Sequence, residues 1–185
     1  MTDAVFRALR FAVDAHAGQY RKGTRVPYIV HPLGAAQSLI EIGASEPVVV
    51  AALLHDVVED TPVTLDDVER EFGAEVARLV RGASEPDKSW PWERRKQHTI
   101  DHLRDAPEDE MLVGLADKLD NLRSIRRDGE AAWAKFNRGR EKQKWYYESI
   151  AAALASREVP PAARPLAAAF AALVREVFTP ASPPA

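Results

Sequence analysis

The chain has 185 residues, 46% of them hydrophobic, a formal net charge of −3 and no cysteine. Length and composition suit one compact domain with its own core and argue against disorder. The charge argues against a dedicated nucleic-acid binder, which needs a basic surface, and the lack of cysteine excludes disulfides, thiolate metal sites and a cysteine nucleophile and accords with a reducing cytoplasm.

Residues 1–5 carry no basic stretch ahead of an apolar run, so no signal peptide is expected. No apolar stretch reaches the roughly 18 residues of a membrane span, so no membrane partner is expected. Phe6, Leu9, Val13 and His16 fall on one apolar face of a helix over residues 3–17. Residues 18–30 read as a polar loop around Arg21 and Lys22. His31-Pro32 opens a second helix, with Pro32 at its first position, and Gly43 ends it. Pro47 starts a third helix, apolar from Val48 to Leu54, which is expected to run through His55-Asp56 and stop near Thr61-Pro62. Thr64-Leu65-Asp66-Asp67 resembles a capping box with Asp in place of Glu; its helix ends at Phe72-Gly73, and a short one follows over 74–81. After a polar loop over 82–91, helices are expected over 92–104, 108–127, 131–156 and 164–177, with Pro160, Pro161 and Pro165 breaking the chain. The spacing thus predicts an all-α fold: one helical domain over 1–178 and a Pro-rich tail over 179–185 that frays.

Residues 28–32, 51–61 and 115–124 hold the informative side chains. Apolar residues force the third helix into the core, and His55, Asp56, Glu59 and Asp60 then follow within six positions. Such groups must be paired, exposed in a cleft or bound to a metal, because burying them alone is costly. On a continuous helix His55 and Glu59, and Asp56 and Asp60, lie four apart and share a face. Asp117, Asn121 and Ser124 form a polar stripe on a helix that is apolar at Leu115, Leu119 and Leu122. Together His31, His55, Asp56 and Asp117 offer two imidazoles and two carboxylates, a set that suits Mn²⁺, Fe²⁺ or Zn²⁺ with positions left open. Glu59 and Asp60, one turn on, suit proton transfer or water positioning.

These segments, with residues 15–22, resemble the HD phosphohydrolases, and in particular the hydrolase domain of Rel/Spo-type (p)ppGpp enzymes and the single-domain small alarmone hydrolases. The resemblance runs over roughly residues 5–150. It implies an HD helical bundle, one Mn²⁺ held by His31, His55, Asp56 and Asp117, and Glu59 and Asp60 as a catalytic acidic pair. It implies removal of pyrophosphate from the ribose 3′ position of a phosphorylated nucleotide, with Arg21 and Lys22 at the base and phosphates and Asn121 and Ser124 near the ribose or phosphate. Two segments depart from the family. The loop after Arg21-Lys22 is one residue longer, with Gly23-Thr24-Arg25-Val26 in place of the family's Asp, and Ser84–Trp92 does not map onto the bifunctional enzymes. Another HD activity, on the 2′-phosphate of NADPH or on a nucleoside phosphate, and a non-catalytic nucleotide-binding module are the competing readings. A homo-oligomer stays open.

Outside the motifs, His16 reads as a structural histidine. His98 and His102, four apart, read as surface residues without a third ligand. Residues 138–147 read either as a solvated helix face or as a wall of the substrate pocket, with Tyr146 as the contact.

Overall fold

Every residue from Val48 to Leu54 is buried, so the helix they form is covered on all sides rather than along one stripe. In the computed structural model, which describes residues 3–85 and 87–179, this helix is the axis of the fold. The elements run α1 (Asp3–Ala15), α2 (Val30–Glu41), α3 (Glu46–Leu54), α4 (Val57–Asp60), α5 (Leu65–Phe72), α6 (Ala74–Ala83), α7 (Trp92–Asp105), α8 (Glu108–Asp128), α9 (Arg140–Ala155) and α10 (Arg164–Phe178), with short 3-10 segments at Gly129–Lys135 and Pro161–Ala163. Helices α1, α2, α6 and α8 pack around α3. Helix α8 also packs against α10, and α9 closes the far side against α7 and α10. Among the described residues, β pairing is confined to an isolated bridge between Tyr20 and Pro27, so the fold is all-α as expected. The tail from residue 180 onward lies outside the described residues.

Local chemistry sets several ends. Gly43 has φ 72°, and the bonds Gly43 N–H to Ile40 O and Ala44 N–H to Leu39 O, both 3.0 Å, close α2 in a Schellman arrangement. The capping box at α5 forms as read: Thr64 Oγ1 accepts from Asp67 N–H at 3.1 Å, and Asp67 Oδ2 accepts from Thr64 N–H at 3.0 Å.

Three expectations need correction. Helix α1 buries Val5, Ala8, Ala12 and the His16 that follows it, leaving Phe6 and Val13 54% and 45% exposed. Small residues let α1 approach α3 closely, and that packing outweighs the larger apolar stripe. Helix α2 begins at Val30, so Pro32 sits third rather than first, still within the turn whose N–H groups lack helical partners. The span read as one helix over 131–156 is a 3-10 segment, a break at 136–139 and then α9. Gly129 (φ 58°) ends α8, and the Lys135–Asp128 ion pair at 2.7 Å folds the intervening turn back.

A fourth correction bears on the site. The third helix does not run through to Thr61. It stops at Leu54, Asp56 takes φ −96° and ψ −8°, and α4 starts at Val57. Neighbours on a regular helix do not face each other. The break is what lets His55 and Asp56, adjacent in sequence, aim at one point.

Candidate metal centre and substrate cleft

The first turn of α2, the end of α3 and the middle of α8 each deliver part of one cluster. His31 Nε2 lies 3.2 Å from Asp117 Oδ1 and 3.5 Å from Asp56 Oδ2. His55 Nε2 lies 3.1 Å from Asp56 Oδ2, 3.3 Å from His31 Nε2 and 3.8 Å from Asp117 Oδ1. Ligand atoms of His31, His55 and Asp117 fall within 4.8 Å of one another, and Asp56 joins them through Oδ2. All four residues named as ligands therefore converge.

The donor set fits a cation. His55 Nδ1 is 2.8 Å from the Ala52 carbonyl, which can only accept, so this nitrogen keeps a proton in either charge state and the neutral ring presents its Nε2 lone pair to the locus. His31 Nδ1 is 2.7 Å from Asp120 Oδ2, and its Nε2 is set the same way. Two lone pairs and two carboxylate oxygens thus face one locus, an arrangement that repels itself unless positive charge sits between them. Ligand bonds of about 2.1 Å at right angles would space neighbouring donors about 3 Å apart, close to what is seen.

Charges around the locus agree. Burial favours neutral Asp56 and Asp117. The imidazoles beside Asp56 and the Lys118 ammonium beside Asp117 outweigh it and hold both carboxyls below the usual carboxylate range. Burial disfavours charge on His55, yet the carboxylates of Asp56 and Asp117 raise it to about 9. Near neutral pH the chelator-stripped protein therefore holds a proton where a metal needs a lone pair, and metal uptake must expel it. Calorimetric titration of Mn²⁺ near pH 7, in buffers of different ionisation enthalpy, is expected to show release of about one proton or more per metal. The release should shrink as pH rises toward about 9; pH-independent binding without proton release would contradict the assignment.

Glu59 and Asp60 part ways. Glu59 lines the cleft beside His31, Asp56 and Asp117, and its Oε1 accepts from the Glu85 N–H at 2.5 Å. Burial, together with the nearby Asp56 and Glu85 charges, raises its carboxyl above the ordinary glutamate value. Asp60 sits at the edge, its Oδ2 3.2 Å from the Tyr28 hydroxyl and its Oδ1 3.0 Å from Lys88 Nζ. Tyr28 also donates to Asp56 Oδ2 at 2.7 Å. The unmapped segment 84–92 thus has a place: Glu85 and Lys88 reach back to the acidic pair, while Glu85 also binds Arg95 and, at 2.6 Å, Lys96.

This cleft, about 370 Å³, meets a second cavity of about 410 Å³. Arg21, Tyr28, Lys96, Lys118 and Asn121 line both. The first is rich in ligand atoms and cations; the second adds Trp92, Phe136, Tyr146 and Tyr147 together with Lys22, Ser124 and Lys135. Asn121 links the parts: its Nδ2 donates to Asp117 Oδ1 at 2.6 Å and its Oδ1 accepts from Arg21 at 2.8 Å. Lys22 reaches Asn137 at 2.7 Å, and Ser124 accepts from Arg127 at 3.1 Å. Tyr146 is buried in the wall, and among the described residues its hydroxyl has no hydrogen-bond partner. The 138–147 stretch divides by face: Gln143, Tyr146 and Tyr147 line the cavity, whereas Lys142 pairs outward with Glu93 at 3.1 Å. His98 and His102 stack on each other, and His102 faces Glu110 at 3.3 Å; among the described residues they belong to no three-residue metal cluster.

Sequence reasoning missed Lys118, Tyr28 and Asp120. Lys118 left a signal: a lysine between buried Asp117 and buried Leu119 on an apolar helix has little solvent to reach.

A profile described as HD domain matches residues 8–158. The chain is 40% identical over 136 residues, 72% of its length and 75% of the relative's, to the Danio rerio protein named guanosine-3′,5′-bis(diphosphate) 3′-pyrophosphohydrolase MESH1. A crystal structure of a Listeria monocytogenes protein superposes with TM-score 0.77 at 40% identity, covering 87% of this chain and all of that one. A structure described as a metazoan ortholog of SpoT that hydrolyzes ppGpp superposes with TM-score 0.79 at 29% identity, covering 95% and 96% of the two chains. The buried His/Asp cluster at the junction of three helices is thus set in a matched family framework, and this chain belongs to the HD-domain family.

Proposed function

We propose that the chain is a divalent-metal-dependent phosphohydrolase that removes pyrophosphate from the 3′ position of guanosine 3′,5′-bis(diphosphate) and its triphosphate analogue, yielding GDP or GTP. The observation that carries this reading is the joining of a His/Asp cluster to an aromatic-walled cavity through shared cationic residues. The Danio rerio relative is named for the same reaction, and the metazoan SpoT ortholog is described as hydrolyzing ppGpp. His31, His55, Asp56 and Asp117 would hold the cation; the N/O set suits Mn²⁺, Fe²⁺ or Zn²⁺, and Mn²⁺ is the one that the family resemblance implies. When bound, such a cation polarises a phosphoryl oxygen and acidifies water. Glu59 faces the cleft and moves the proton; Asp60 supports it from the edge through Lys88 and Tyr28. Arg21, Lys96 and Lys118 neutralise the phosphates at the junction, and Asn121 and Ser124 face the ribose side. Tyr146 and Trp92 wall the nucleoside. Among the described residues no helix is long and apolar enough to cross a membrane, and the absence of cysteine accords with a cytoplasmic enzyme.

The test is a substrate panel with Mn²⁺, measuring pyrophosphate and orthophosphate separately. Pyrophosphate from ppGpp is expected. Orthophosphate from NADPH in its place would establish the competing phosphatase reading, and nucleotide binding without turnover the non-catalytic one.

Arg21 and Lys22 hold substrate rather than perform chemistry in this scheme. Arg21→Ala and Lys22→Ala should each raise KM by about tenfold to a hundredfold with little change in kcat, as charged hydrogen bonds worth about 1.5–3 kcal/mol imply. Steady-state kinetics check this; unchanged KM in both would make the loop a bystander.

A further inference from the structure

We infer that Asp120 is a positioning residue for the metal, holding His31 by its outer nitrogen, and that Gly34 keeps open the space this carboxylate occupies. The inference rests on the reading of His31 as a ligand. Asp120 stands one turn beyond Asp117 on α8, facing α2, with Oδ2 2.7 Å from His31 Nδ1. An imidazole that gives its Nε2 lone pair to a cation has only Nδ1–H left to donate. The partner of that N–H fixes the ring's orientation and raises its donor strength, and a carboxylate does so more than a neutral oxygen. The two imidazoles are served unequally: His55 Nδ1 donates to the neutral Ala52 carbonyl at 2.8 Å, His31 to a carboxylate.

Gly34 shows that this contact shapes the seam between α2 and α8. Glycine inside a helix is less favourable than alanine. Here a Cβ would lie 2.1 Å from Asp120 Oδ1 and 2.8 Å from its Cγ; the next nearest atom, at 3.5 Å, is Asp120's other oxygen. All three nearest atoms belong to one carboxylate. Nothing else along the seam obstructs a side chain at position 34 as closely, so the glycine serves Asp120.

The test is Mn²⁺ affinity of chelator-stripped protein, measured by competition with a fluorescent chelator, with circular dichroism confirming the fold. Loss of an outer-shell partner costs about 10–100-fold in metal affinity, and Asp120→Ala should weaken binding by that amount. Asp120→Asn keeps shape and acceptor but not charge, and should fall between; it carries the test if the alanine variant does not fold. Gly34→Ala should also weaken binding, by displacing the carboxylate. In Gly34→Ala/Asp120→Ala the atoms that a new Cβ would strike are gone, so the double variant should bind like Asp120→Ala alone. Parent-like affinity in both Asp120 variants overturns the inference. Full additivity of Gly34→Ala and Asp120→Ala overturns the role given to Gly34. A parent that binds no Mn²⁺ overturns the metal reading itself, and this inference with it.

Discussion

Asp117→Asn should lose metal and turnover together. The Asp117 carboxylate serves four partners: Oδ1 faces His31 Nε2 at 3.2 Å and His55 Nε2 at 3.8 Å and accepts from Asn121 at 2.6 Å, while Oδ2 pairs with Lys118. An amide keeps the size but not the charge. It is a poor ligand, and it leaves the buried Lys118 ammonium without its counter-ion. Affinity for Mn²⁺ should fall by more than the roughly 10–100-fold that removal of an outer-shell partner costs. Breaking a buried ion pair costs about 3–5 kcal/mol where the charge is fully enclosed. The Lys118 side chain is 16% exposed, so a loss of stability toward the lower end is expected, visible as a lower Tm. Metal content measured beside turnover checks the first claim. Full metal loading in Asp117→Asn would remove Asp117 from the coordination sphere.

Glu59→Gln should separate what Asp117→Asn joins. Its Oε1 is engaged by the Glu85 N–H, and burial, with the Asp56 and Glu85 charges, raises its carboxyl above the ordinary glutamate value, the direction that suits a proton donor and acceptor. It lines the cleft, and its carboxylate is held by the Glu85 N–H and faces Lys88 Nζ at 3.9 Å rather than the ligand imidazoles. The amide should therefore fold and bind metal as the parent does but lose about 10²–10⁴-fold in kcat, the usual contribution of a positioned acid or base. A variant that turns over like the parent would discard this role. One that loses metal would place Glu59 among the ligands.

How much of this was legible follows from where each residue sits in the chain. The apolar run Val48–Leu54 and the polar groups after it announced a core helix delivering a site, because burial and charge conflict there unless something resolves them. The capping box at Thr64 was legible because it is local. The break at His55-Asp56 was not: His55 and Asp56 were read as ligands of one metal, but i, i+4 spacing on a continuous helix paired His55 with Glu59 and offered no local reason for neighbours to converge, which a departure from helical geometry supplies. The buried face of α1 was misread because Phe6 and Val13 outweigh Ala8 and Ala12 in hydrophobicity, while close helix packing rewards the small residues. Asp120 and Tyr28 act across 89 and 28 positions, on His31 and Asp56 respectively, and no periodicity records a partner at that range. The 84–92 segment carried charge and aromatics with no motif; its meaning lies in where Glu85 and Lys88 land.

In the proposed reaction one cation in this cluster enables 3′-pyrophosphate removal. The most direct measurement strips the protein with chelator, adds Mn²⁺ back stepwise and follows pyrophosphate and GDP formed from ppGpp. Activity should be absent without metal, rise linearly and level off at about one Mn²⁺ per chain, the capacity of a single N/O cluster, with pyrophosphate and GDP appearing in equal amounts. Full activity in the stripped protein, or orthophosphate as the released product, would contradict it.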